Sequence, residues 1–386
     1  MSEHANPEAQ FDAGERASPR RRVERAFRRA DLLLYQTIRS SARLIREERA
    51  AKSVLPWRTR LSMWRRGFLS DSVVLYDLEC NDPRQYVSDY QLYARCNRVN
   101  TWNGLFDHKL GLRAFLLAMG FRQAATLAYL CEGQVILDPF GPGVMPVDRR
   151  QLLKCLHEDA AARGYVVKPE DGLCGQGVFL LTERDGAFYR QRGQSREPFD
   201  VESFAPSNPT VIERRLTQAD FWSALYPDSA NTMRLLTLWT PGEAAPFIAG
   251  AAQRIGTADT VPTDNFTGGG ISCPIELSTG HLGAGRMHPI KGRQPGRRFT
   301  HHPETDAPLE GAILPGWAKV TDAVLRAAAS VPFNRMAGWD VMVDQEGEPV
   351  ILEANGNGGH VDVMQIHGGL LTDPAVRRFY ETTGIL

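Results

Sequence analysis

Three oxygen-bearing side chains interrupt the segment GWDVMVDQEGEPVILEANGNGG, residues 338–359: Asp340, Glu353 and Asn355. A carboxylate on an apolar strand costs desolvation unless a cation or a hydrogen-bond donor compensates it. A two-residue turn at Glu346-Gly347 sets Asp340 opposite Glu353. Directly opposed residues have Cβ atoms roughly 5 Å apart. Asn355 lies two residues beyond Glu353 and so shares its face. Alone, two such carboxylates repel and one takes up a proton, whereas hard oxygen ligands suit Mg²⁺. The alternative is that Asp340 and Glu353 are merely exposed on an edge hairpin.

A divalent ion held by so few protein oxygens usually also bridges substrate phosphates, so phosphate contacts are expected elsewhere. The segment VVKPEDGLCGQGVFLL, residues 166–181, offers a strand ending in Lys168, then Gly172, Gly175 and Gly177, then a second strand. Glycines let backbone N–H groups approach an anion, and a strand-end lysine adds a point charge. A Walker P-loop is excluded because GxxxxGK[ST] is missing and no helix follows. A plain glycine loop would read the same way. Cys174 lies within this loop with no base beside it and is read as incidental. Arg234, in NTMRLLTL, is a charge on an otherwise apolar strand, a position rarely buried without a partner.

Elements must hold these residues in place. RRVERAFRRADLLLYQTIRSSARLIREERAA (21–51), with apolar residues at 23, 27, 34, 38 and 45, reads as a basic helix, SVVLYDL (72–78) as a strand and DHKLGLRAFLLAMGF (107–121) as an amphipathic helix ending at Gly120. CEGQVI reads as a hairpin. DRRQLLKCLHEDAAARG (148–164) reads as a helix with Asp148 at its N-cap, and residues 316–331 as a further helix. Strands alternate with glycine loops between them, giving a mixed α+β pattern with no internal repeat. Residues 1–15 read as disordered.

Over 386 residues the formal charge is zero, yet residues 16–66 carry 16 Lys or Arg against 4 Asp or Glu. This arm could meet RNA, an anionic membrane surface or an acidic partner, or could be a solvated helix packed on an acidic body. The six cysteines have no CxxC spacing, which argues against a zinc ribbon and for free thiols. Apolar runs fall short of the ~18 residues of a membrane span. The expectation is a soluble, cytoplasmic chain of unknown oligomeric state, with domains over 1–70 (tail and basic arm), 71–150, 151–230 and 231–386.

The lysine–glycine loop, TVIERRL, NTMRLLTL, NFTGGGI and the terminal GWDVMV and VILEANGNGG occur in the order seen in ATP-grasp enzymes. The chain most resembles their sugar-transfer-associated group, over about residues 65–386. The resemblance implies an ATP-grasp fold, with two α+β subdomains clasping ATP and the basic extension in front. It implies that Lys109 and Lys168 reach the nucleotide's phosphates and that residues 172–177 cover them. Glu213 would be the hinge acid beside adenine and ribose, with backbone groups from Arg214 to Leu216 reading the base. Asp220 would take the ribose hydroxyls, or else simply cap a helix. Arg234 would face the γ-phosphate or a substrate carboxylate, or else form a structural salt bridge, and Arg254 would serve similarly. Thr267 to Gly270 would line the acceptor side. Asp340, Glu353 and Asn355 would hold Mg²⁺, with Glu353 bridging two ions and Mn²⁺ admissible.

The chemistry implied is activation of a carboxylate by ATP to an acyl phosphate, followed by attack of an amine and release of ADP and phosphate. Partners would be small-molecule carboxylates and amines rather than nucleic acid. The alternatives are a kinase on the same fold and a non-catalytic ATP-binding module that docks a polyanion through the arm.

Overall fold

The computed structural model describes residues 38–142, 144–159, 163–170, 176–291, 294, 296–356 and 358–386. Gly172, Cys174 and Gly175, and the first half of the basic segment, lie outside the described residues. Two antiparallel sheets organise the rest. The first contains β1 (Thr126–Cys131), β2 (Gln134–Leu137), β3 (Pro146–Val147), β4 (Tyr165–Pro169), β5 (Phe179–Arg184), β6 (Ala187–Arg192), β7 (Ser195–Pro198) and β8 (Thr210–Arg214). Its spatial order is β3-β2-β1-β8-β4-β5-β6-β7. The second contains β9 (Met233–Leu238), β10 (Phe247–Ile255), β11 (Ile271–Pro274), β12 (Gly285–Met287), β13 (Arg298–Phe299), β14 (Met336–Val343) and β15 (Pro349–Asn355), in the order β13-β12-β11-β10-β9-β14-β15.

The helices are α1 (38–50), α2 (Trp57–Arg65), α3 (Ser70–Leu75), α4 (Gly104–Asp107), α5 (Lys109–Ala118), α6 (Arg149–Glu158), α7 (Asp220–Leu225), α8 (Trp317–Ala329), α9 (Asp362–Gln365) and α10 (Pro374–Thr382). The apolar stripe of α6, Leu152 and Leu156, covers Ala128, Leu130, Val167 and Ile212 of the first sheet. On the second sheet, period-two alternation feeds two cores. Trp339 and Val341 pack with Val320 and Val324 of α8. Leu236 and Met336, on the opposite face, pack with Phe379, Tyr380 and Met63.

Several expectations change. Residues 72–78 form helix α3 and a turn rather than a strand. Asp89 accepts from the Leu69 N–H (2.8 Å) and the Ser72 hydroxyl (2.9 Å), and these long-range bonds override the β-propensity of Val73 and Val74. The helix beginning at Asp148 has the expected cap, as a full capping box, but ends at Glu158, well before Gly164. A domain boundary at residue 150 would cut one sheet, since β1 to β3 pair continuously with the later strands. A boundary at residue 70 would cut a core that already holds Met63 and Phe68.

The terminal hairpin reaches the expected register by a different route. Its loop is longer than two residues: Gly347 has φ +76°, its N–H donates to the Asp344 carbonyl, and Asp344 donates to the Glu348 carbonyl. That shifts the pairing by one, so Val341 faces Ile351. A β-bulge at Leu352 restores it, and Asp340 faces Glu353.

Candidate active site

The register of the second sheet places Glu353 on β15, Asp340 on β14 and Arg234 on β9 in one rank across three strands. Arg234 grips Asp340 with two N–H groups, Nε at very short range and Nη2 at 2.9 Å. Arg254 on β10 also reaches Asp340, at 3.2 Å, and Asp264 at 3.1 Å. Thr232 ties the network together: its hydroxyl donates to Asp264 (2.5 Å) and accepts from Arg254 (2.5 Å). Burial pushes the Asp340 carboxyl up, but Arg234 and Arg254 outweigh it and hold it below the usual carboxylate range. Burial leaves Asp264 raised although Arg254 pulls against it. Arg254 is held protonated: burial opposes its charge, and Asp264, Asp340 and then Glu353 overcome that.

The glycines after β15 have a steric cause. Gly338, between Asn355 and Leu236 in the next rank, leaves room for the returning chain: a Cβ there would sit 2.2 Å from the Gly359 carbonyl oxygen. That oxygen accepts a 3.2 Å bond from Arg234 Nη1. Gly358, Gly359 and His360 all lie at positive φ, so the chain folds back over the charged rank.

Across the cavity stands the first sheet. Lys168 on β4 places Nζ 2.9 Å from Glu213 Oε1 on β8, and Arg113 of α5 reaches the same oxygen at 2.7 Å. All three are buried. Burial raises the Glu213 carboxyl, yet Lys168 and Arg113 bring it below its ordinary value. Lys109 opens α5 and donates to the Glu170 carbonyl at 2.9 Å, while the Glu170 carboxylate accepts from the Leu110 N–H at 2.8 Å. A carboxylate at this helix start is favoured by the exposed N–H groups and the helix dipole.

One cavity of about 440 Å³ joins the two sheets. Lys109, Lys168, Glu213, Arg214, Leu216, Arg234, Arg254, Asp340, Glu353 and Asn355 all line it, so the fold gathers residues far apart in sequence. Its apolar walls come from Val166, Val178 and Leu180 on one side and Met342 and Leu352 on the other. The bulge explains why Leu352 and Glu353 both face in. Two expectations change. Asp220 is exposed on the first turn of α7, caps nothing and does not line the cavity; Thr217 and Ser223 stand nearby instead. Gly177, at φ +74°, is likewise absent from the lining, which Val178 reaches. The Arg214 and Arg215 N–H groups already bond to the Ala125 and Gly164 carbonyls, whereas the Leu216 N–H has no backbone partner among the described residues. Of the TGGG run, Thr267 lines the cavity and Gly269 makes a left-handed turn.

Among the described residues, no three His, Cys, Asp or Glu side chains gather as a metal cage. The candidate set has two carboxylates and an amide, and Asp340 is already shared by two guanidinium groups. Asn355 Nδ2 is buried without a partner among the described residues. Half a turn of the amide exchanges its nitrogen and oxygen at nearly constant shape. The donor types and shared face fit a divalent ion, with Glu353 and Asn355 as its less committed ligands and its other oxygens supplied by phosphate and water.

Sequence reasoning missed Thr232, Asp264 and Asp362, all in the lining of the cavity. Asp264 sits in an irregular loop with no periodic signal, and Asp362 in a four-residue helix. It also missed Arg113 and Glu170, which act by holding Glu213 and α5. For Arg113, a charge within an amphipathic helix was the available signal.

No protein of curated function matches the chain. Among solved structures it is similar to N5-carboxyaminoimidazole ribonucleotide synthetase from Thermotoga maritima, at 10% identity and TM-score 0.35, over 74% of this chain and 50% of that one. It is similar to the N5-carboxyaminoimidazole synthetase of Staphylococcus aureus complexed with ADP, at 11% identity and TM-score 0.38, over 71% and 53%. A D-alanine–D-alanine ligase from Bacillus anthracis gives 16% identity and TM-score 0.36, over 72% and 68%. The chain thus spans about half the length of the first two, and likenesses this remote transfer no activity. The family model for sugar-transfer associated ATP-grasp proteins matches residues 91–377, a span that holds both charged walls of the cavity, and the chain belongs to that family.

Proposed function

We propose that this protein is an ATP-dependent carboxylate–amine ligase that works through an acyl phosphate. The observation that carries this reading is the single cavity with cations on one wall (Lys109, Lys168) and the Glu353–Asp340–Arg234 rank on the other. A triphosphate lying between them finds positive charge at both ends, and a purine fits the apolar slot between Val166 and Leu180 on one side and Met342 and Leu352 on the other. Leu216 offers its N–H to the base, and Glu213 sets the position of Lys168 through their 2.9 Å pair. The first sheet acts as the lid of the clasp.

Glu353 and Asn355, with Asp340, would hold Mg²⁺, which when bound neutralises phosphate oxygens and orients the γ-phosphoryl group. The remaining roles belong to side chains. Lys109 and Lys168 offset charge on the phosphates, and Arg254 and Arg234 offset it on the transferred group and the substrate carboxylate. The substrate carboxylate oxygen forms a bond to the γ-phosphorus as the bond to the β-phosphate oxygen breaks and ADP leaves. The amine nitrogen then attacks the acyl carbon, the C–O bond to phosphate breaks, and the amine gives up a proton. Asp362 and Asp264 line the same cavity, and their negative charge would attract an ammonium group. Closure over the acyl phosphate keeps water from it.

Pooled carboxylates incubated with enzyme, ATP and hydroxylamine test the reading. Acyl hydroxamate formed together with ADP is expected. A stable phosphorylated product with no hydroxamate would replace the ligase with a kinase.

A further inference from the structure

Helices α1 and α2 precede the family match at residues 91–377, and the cavity uses neither. They are nevertheless built firmly onto the body. The Glu48 carboxylate accepts from the Ser70 N–H (2.9 Å), the Ser70 hydroxyl (2.6 Å) and Arg60 (2.9 Å). Asp71 accepts from the backbone of Lys52 and Ser53, each at 3.0 Å. Met63 anchors the inner face of α2 in the core.

The outer face of α2 has the reverse character. Trp57, Leu61 and Trp64 recur at helical spacing, within an arc of about 60° at 100° per residue, and are 69%, 39% and 45% exposed. Val54, just before the helix, is 98% exposed. Arg58 lies over the Trp57 ring at 5.4 Å and Arg60 over Trp64 at 5.0 Å. On α1, Ile38 and Ile45 are also exposed, seven residues apart, beside Arg39, Arg46 and Arg49. Residues 38–66 carry nine Lys or Arg and two acids, and one of those acids, Glu48, is turned inward to hold the arm.

We infer that α1 and α2 form a peripheral docking face for a bilayer surface bearing anionic headgroups. An aromatic and aliphatic stripe flanked by guanidinium groups suits the boundary between headgroups and acyl chains: indoles rest at the interface while arginines meet phosphates. A nucleic acid accounts for the arginines and could stack on the tryptophans, but gives Val54, Leu61 and Ile45 nothing to gain. A second copy related by a twofold axis would bring like charges together. The inference is independent of the ligase reading.

The test uses the full chain, so that residues 1–37 are present throughout. Co-sedimentation is measured with phosphatidylcholine vesicles and with vesicles that also contain phosphatidylglycerol, together with two variants, Trp57→Ala/Trp64→Ala and Arg58→Gln/Arg65→Gln. Binding to the anionic vesicles is expected, weakened by salt, and reduced at least tenfold in the tryptophan variant. Each arginine removed should cost about fivefold at low salt. Melting temperature should be unchanged in the arginine variant, since Arg58 and Arg65 face outward, whereas Trp64 also hydrogen-bonds Glu48, so the tryptophan variant should melt slightly lower while remaining folded. Four outcomes overturn the inference: no binding to anionic vesicles, equal binding to neutral ones, an unaltered tryptophan variant, or variants that lose oligonucleotide binding or self-association in place of vesicle binding.

Discussion

Replacing Glu213 with Gln tests the electrostatics of the first sheet's wall of the cavity directly. The carboxylate is shared by Lys168 at 2.9 Å and Arg113 at 2.7 Å, with all three side chains under a tenth exposed. The amide keeps the volume and removes the charge, so two buried cations face a neutral group. Breaking a buried ion pair by removing one partner costs about 3–5 kcal/mol. Arg113 retains Thr126 Oγ1 at 2.7 Å and the Ala124 carbonyl at 3.3 Å, which favours the lower end of that range. For a cooperative unit of ordinary domain size this is roughly a 6–15 °C fall in melting temperature. Calorimetry with and without Mg·ATP is the assay. If nucleotide phosphates reach Lys168 as proposed, they would supply the missing negative charge, so ligand should stabilise the variant more than wild type. The pH dependence has a defined sign as well. The folded-state pKa of Glu213 is lowered, so its contribution is present above the unfolded value near 4.5 and is lost as pH falls through the folded value; the Gln variant should lack that acid-side loss. A change of under about 1 kcal/mol would refute the reasoning, because it would show the pair to be screened as surface pairs are.

Other consequences follow from single contacts. Gly338→Ala puts a methyl group 2.2 Å from the Gly359 carbonyl oxygen, a backbone atom that must move. We expect a loss of about 1–3 kcal/mol in denaturant unfolding, together with loss of ADP release as the Arg234–Gly359 bond opens. His367 is held neutral by burial and by Arg286, to about 3. The unfolded chain takes a proton below about 6.5 that the folded chain refuses. Stability should therefore fall from pH 6.5 toward pH 3, and His367→Gln should flatten that fall in acid-unfolding curves.

How far the site was legible depended on whether a pattern was local. Strand alternation and turn residues placed Asp340 opposite Glu353 and put Arg234 on an apolar strand. The same reading assumed a two-residue turn, and only the compensating bulge at Leu352 kept the pair together. Residues whose placement depends on tertiary contacts were not readable. Asp264 is defined by Thr232 and Arg254, 32 and 10 positions away in sequence, and α3 by Asp89. Asp220 carried a plausible spacing but no packing signal, and it faces solvent. The glycines after β15 were visible as an anomaly, and their cause, the close approach of Gly338 and Gly359, needed the fold.

Titrating an unhydrolysable ATP analogue into the protein, with and without Mg²⁺ and in wild type against Glu353→Gln, bears most directly on the central claim. Glu353 is partly exposed and has no hydrogen-bond partner among the described residues, so its replacement should lower the melting temperature only slightly, through the lost attraction to Arg254. Calorimetric titration should show magnesium-dependent binding in wild type and at least a tenfold weaker association in the variant. Binding indifferent both to Mg²⁺ and to the loss of the Glu353 carboxylate would contradict the account.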